Sequence, residues 1–127
     1  MTKIKLIEKE LEFLQEGINL LGWCFEASKR CINDSYDEKE FKEKLKNIRT
    51  EIYDLTEDNI QKLESLFVVI ISMQTDDELS LIDVNKCVNK VIQLKQKCVH
   101  LKNEIADLIG MTKINNERWG IYNEKNR

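Results

Sequence analysis

From Trp23 to Ile109 the chain contains neither glycine nor proline, and the whole sequence has four glycines (17, 22, 110 and 120) and no proline. These two residues supply most tight turns, and proline also stops helices. A chain that withholds them over so long a stretch is confined to long helices with few connections. Its 127 residues match one domain. With 42% hydrophobic and 34% charged side chains, it holds enough of both for a core and a solvated shell. The expectation is an all-α fold.

The apolar pattern divides that fold into elements. Ile4, Ile7, Leu11, Leu14, Ile18, Leu21 and Phe25 recur at alternating gaps of three and four, so they share one helical face. A second row, Leu6, Phe13, Leu20 and Ala27, runs beside it with Cys24 and Cys31 nearby. A face this wide predicts a helix touching two neighbours. Gly17 and Gly22 weaken that helix, and the expected compensation is close helix approach. Asn33 to Glu38 reads as a turn, with Ser35 and Glu38 as a capping box. Phe41, Leu45, Ile48, Ile52 and Leu55 restart the rhythm, and Ile60, Leu63, Leu66, Phe67 and Ile70 continue it without a jump in phase. One long helix over about 36–74 is the preferred reading, and a break near Thr56 is the alternative. Leu66 to Ile71 is apolar on every side, so that segment is either central to the core or covered by a partner.

A turn at Gln74 to Glu78, and a helix start at Ser80 with Asp83, introduce the last helix. It carries Val84, Cys87, Val91, Leu94, Cys98, Leu101, Ile105 and Leu108, with Gly110 as its C-cap. Residues 1–110 thus form the helical bundle. Residues 111–127 form a polar tail whose large apolar side chains are Ile114, Trp119, Ile121 and Tyr122, and it is either disordered or docked. Helices of about 28, 38 and 29 residues would be roughly 40 to 57 Å long. Short connections make sequence neighbours antiparallel, which predicts an elongated bundle of three long helices, or four if the chain breaks near Thr56. The cysteines separate the two. Three helices place Cys24 near the height of Cys98, whereas four bring it closer to Cys87.

Motifs of chemistry are scarce. The cysteines stand at 24, 31, 87 and 98 without a C-x-x-C pair, and all fall on apolar faces. His100 is the sole histidine, without partners at ligand spacing. Cys98 lies two residues from it and points elsewhere on a helix. Phosphate-cradling glycine loops and the Glu-x-x-His of di-metal bundles are missing. No cofactor, metal or enzymatic activity is expected. The N-terminus offers no apolar leader behind Lys3 and Lys5, and the run Leu66 to Ile71 is too short for a bilayer, so a cytoplasmic location with reduced thiols and no membrane contact is expected.

Charge is the one asymmetric feature. Residues 1–50 balance ten bases against ten acids; residues 51–83 hold nine acids against Lys62 alone; residues 84–127 hold nine bases against four acids. On the basic side Lys86, Lys90 and Lys97 share a face only loosely and without interleaved aromatics, so nucleic-acid binding is not the preferred reading. The acidic middle (Glu51, Asp54, Glu57, Asp58, Asp76, Asp77 and Glu78) could steer a basic protein partner onto the bundle. Among functions, the expectation is a non-enzymatic, protein-binding helical bundle. Its sharpest form is an immunity or antitoxin protein that neutralises a basic toxin domain. The alternative is a structural or assembly protein acting through self-association or a helical partner.

Overall fold

A computed structural model describes residues 2–30, 38–73 and 81–110, which form three helices: α1 (Lys3–Lys29), α2 (Glu38–Ser72) and α3 (Leu81–Ile109). Each packs against the other two, and α2 with α3 forms the most extensive pairing. The capping box at Ser35, the turn at 74–78, the helix start at Ser80, Cys31 and the tail 111–127 lie outside the described residues.

The apolar rhythm of α1 is its buried face: Ile4, Ile7, Leu11, Leu14, Ile18 and Phe25 are all buried. Thr2 caps its start, accepting from the Lys5 backbone N–H at 3.3 Å, a role the sequence reading did not assign. The other end is closed by its neighbour. Arg49 of α2 donates from Nε to Ser28 Oγ at 3.2 Å and from Nη2 to the Ser28 carbonyl at 3.1 Å. A guanidinium there satisfies an orphan carbonyl of the last turn and meets the negative end of the helix dipole. Ser28, itself buried, donates from its own hydroxyl to the Phe25 carbonyl at 2.7 Å.

α2 runs 35 residues without a break. Thr56, the alternative breakpoint, is fully buried, and its hydroxyl donates to the Ile52 carbonyl one turn back at 2.7 Å. That bond satisfies the hydroxyl inside the helix and removes the reason to turn. Thr56 sits at the waist of the core. On one side Ile60, Leu63 and Ile70 pack with Leu11, Leu14, Ile18, Val91, Leu94 and Cys98. On the other, Ile52 and Tyr53 pack with Phe25, Leu101, Ile105 and Ala106. Three long helices are therefore the architecture, with α1 parallel to α3 and α2 antiparallel to both. Glu57 pairs with Lys102 and Glu64 with Lys95, so α2 and α3 count in opposite directions. Cys24 packs with Leu101 and Ile105, beside the level of Cys98, as the three-helix reading requires. Gly110 closes α3 with φ +82°, the left-handed conformation that favours glycine at a helix end.

Two expectations need correction. A Cβ built on Gly17 or Gly22 meets no atom within 4 Å, so neither glycine serves close helix approach; both leave notches in the surface. The second row of α1 is uncovered: Leu6 is 55% exposed, Phe13 73% and Leu20 61%. α1 does touch two neighbours, but it does so through its first stripe and that stripe's flanks, and three helices leave the second row facing outward.

These contacts predict opposite outcomes in urea denaturation. Gly17→Ala is expected to stabilise the protein by about 0.5–1 kcal/mol, because helix propensity improves with no clash. Arg49→Ala is expected to cost about 1–2 kcal/mol by leaving the end of α1 without its charged donor. A destabilised Gly17→Ala protein would show that the notch is filled.

Candidate protein-docking face

The acidic middle of the sequence resolves into two environments. Glu51, Asp54 and Asp58 project from the outer face of α2 and are exposed. Among the described residues none of the three, nor Glu10 of α1, joins an ion pair or a hydrogen bond. Glu57 turns the other way. It pairs with Lys102 across the α2–α3 seam, where the Lys102 ammonium also stands 5.3 Å from the Tyr53 ring centre. Burial works against the Lys102 charge. The hydrogen bond to Glu57 and the charges of Tyr53 and Glu57 outweigh it, raising the pKa above the usual 10.5. Glu57 thus ties α2 to α3, while Glu51, Asp54 and Asp58 face outward. Asp76, Asp77 and Glu78 lie outside the described residues.

Beside the exposed acids runs an apolar groove between α1 and α2. Glu10 of α1 lines a cleft with Asp58, Gln61, Lys62, Ser65, Leu66 and Val69 of α2. On α2, Ile48, Leu55, Lys62 and Val69 follow at intervals of seven; Lys62 and Val69 line the cleft, and the three apolar members of the row are 51%, 50% and 46% exposed. On α1, Leu6, Phe13 and Leu20 follow at the same interval on the outward side of Glu10, beyond the lining of the cleft. With the register fixed by Arg49 on Ser28, Leu6 stands near the level of Val69, Phe13 near Lys62 and Leu20 near Leu55. The sequence reading named the α1 row and missed its exposure. It also missed Glu10 as part of the acidic face, since Glu10 joins that face only through the packing of α1 on α2.

The segment Leu66 to Ile71 is divided between core and surface. Ile70 is fully buried, Leu66 and Phe67 are half-buried, and Val68 (67%), Val69 (46%) and Ile71 (42%) are exposed. Val68 belongs to a second cleft, between α2 and α3, with Glu64, Phe67, Val91, Ile92 and Lys95.

The described bases of α3 divide between ion pairs with α2 and positions beside α1. Lys95 pairs with Glu64 at 3.4 Å, and Lys102 with Glu57. Lys86 and Lys90 line one cleft with Glu8 and Glu12 of α1, and Lys97 donates to Asn19 at 3.4 Å. His100 is exposed and bonds to Glu104 at 2.7 Å, and Glu104 also meets Lys29 of α1 at 3.7 Å. The thiols of Cys87 and Cys98 are buried, and burial pushes Cys98 up to about 11, which favours the neutral thiol. Among the described residues no three His, Cys, Asp or Glu side chains are grouped to hold a metal ion, and no helix is long and apolar enough to cross a membrane. Comparison with protein-family models, with curated proteins and with solved structures yields no match for this chain.

The Lys102 seam carries a pH signature. A lysine raised in the folded state contributes stability that is complete below pH 10.5 and lost as pH rises through the raised value. Urea midpoints of the wild type and Lys102→Met, followed from pH 9 upward, are expected to converge above pH 10.5. A constant gap would mean that the ammonium is not the stabilising form.

Proposed function

We propose that this chain is a non-enzymatic helical module that docks a protein partner on the outer face of α1 and α2. One observation carries the reading. Four exposed acids that join no ion pair among the described residues (Glu10, Glu51, Asp54, Asp58) share the outer faces of α1 and α2 with two exposed apolar rows (Leu6, Phe13, Leu20; Ile48, Leu55, Val69). Exposed apolar rows beside unpaired charge are what an interaction site presents. The acids select a basic partner and speed its approach, and the apolar rows supply the buried contact that holds it. The most concrete form of this reading is an immunity or antitoxin protein in the cytoplasm, whose acidic face covers a basic toxin domain such as a nuclease.

A second reading, self-association, draws on the α2–α3 cleft. There Val68 and Ile92 are exposed at 67% and 45%, and the charges of Glu64 and Lys95 cancel each other. Sedimentation of a single monomeric species at micromolar concentration would remove that reading.

The docking reading is tested by recovering the tagged protein from its own cells in two forms: wild type, and the triple variant Glu51→Lys, Asp54→Lys, Asp58→Lys. Circular dichroism verifies the fold. The wild type is expected to retain a basic companion in equal amount, and purified companion is expected to associate with the variant about 10- to 100-fold more slowly. Equal association rates for the two forms would overturn the reading.

A further inference from the structure

The outward stripe of α3 carries no charge, in a chain whose side chains are 34% charged. Val88, Asn89, Ile92, Gln96, Val99 and Asn103 fall within about 100° of helical rotation, over about 22 Å of axis. Lys90, Lys95, Lys97 and Lys102 all fall outside that arc. Ile92 and Val99 are 45% and 41% exposed, Val88 is half-buried, and the three amides are exposed. Ile92, Gln96, Val99 and Asn103 line an open cleft with Lys95 and His100. Ile92 and Lys95 also belong to the α2–α3 cleft, where exposed Val68 stands beside them. Loss of charge along an exposed apolar stripe marks the centre of an interface rather than ordinary helix surface.

The stripe is complementary to itself. A charged side chain repels its own copy, whereas an amide both donates and accepts and so pairs with another amide. An antiparallel copy of α3, related by a two-fold axis beside Gln96, sets Gln96 against Gln96 and Asn89 against Asn103. The same axis brings Ile92 to within one residue of the level of Val99, so apolar side chains meet apolar ones. At the edge of the stripe Glu64 already neutralises Lys95 at 3.4 Å within each chain. Two copies therefore meet without an unpaired charge between them.

We propose that the chain forms a two-fold dimer through the uncharged stripe of α3, with the two α3 helices antiparallel and Val68 of each copy flanking the contact. The inference rests on the self-association reading and adds the face, the partner and the register. It leaves the outer faces of α1 and α2 open, so a dimer and a docked partner are compatible.

The test is sedimentation equilibrium of the full chain at micromolar concentrations under reducing conditions, with circular dichroism verifying each fold. The wild type is expected to dimerise. Ile92→Lys and Val99→Glu, each alone, are expected to weaken the dimer about tenfold or more by setting a charge against an apolar side chain. The double variant is expected to recover much of that loss, because its two new charges face each other across an antiparallel axis. Trp23→Glu, at an exposed site on α1, is expected to dimerise as the wild type does. In the wild type itself, dilution should shift the side-chain amide NMR signals of Asn89, Gln96 and Asn103 and leave that of Gln61 in place. A monomer at every concentration would overturn both the proposal and the self-association reading. A dimer indifferent to both single substitutions, or dissociated by Trp23→Glu, would overturn the α3 stripe and leave self-association standing. A double variant weaker than either single one would overturn the antiparallel register.

Discussion

The structure depends on α2 remaining one helix through Thr56. Four polar residues in succession, Thr56 to Asn59, resemble a turn in composition, and a turn there would reverse the chain. Thr56 is instead fully buried between the two halves of the core, with its hydroxyl closed on the Ile52 carbonyl. A buried hydroxyl needs a partner, and the helix provides one in the Ile52 carbonyl of its own ladder. Asn59 makes the same kind of bond at the surface, donating to the Leu55 carbonyl at 2.8 Å. Two side chains that favour turns are thereby recruited to continue the helix. Continuity then sets α1 parallel to α3 and fixes the levels at which Glu57 and Glu64 meet Lys102 and Lys95.

Much of the fold was legible because long helices are a simple consequence of periodicity. The first stripe of α1 and the face of α3 from Val84 to Ile105 are buried as their spacing requires, and Gly110 takes the positive φ its position implies. What stayed hidden concerns which side of a helix meets which neighbour. The Leu6–Phe13–Leu20 row has the pattern of a buried stripe, and its exposure follows from there being three helices to cover it. Glu57 and Asp58 are adjacent in sequence, yet about 100° of helical rotation sends one to Lys102 and leaves the other facing solvent. Arg49 on Ser28 pairs residues 21 apart, and no local motif announces it. Gly17 and Gly22 match a close-packing pattern, but packing glycines need an opposing backbone, and neither has one.

The same geometry sorts the charges. Acids and bases between helices are largely used against each other: Glu57 with Lys102, Glu64 with Lys95, and Glu104 with Lys29. Lys95 and Lys102 of α3 are engaged in this way. The acids outside those seams share a face with apolar residues that no part of the described bundle covers. Solvated charge alone would be ordinary helix surface, and scattered apolar residues would be ordinary too. Their occurrence together on the outer faces of α1 and α2 makes this face the candidate site.

Amide hydrogen exchange across α2 tests the foundation of this account most directly. The N–H groups of Thr56, Glu57, Asp58 and Asn59 are expected to be protected to the same degree as those of Ile52 and Ile60, opening only when the core opens. Rapid exchange confined to these four residues would place a break at the waist. It would return α1 and α3 to an antiparallel arrangement and remove the continuous α2 wall on which the docking face is built.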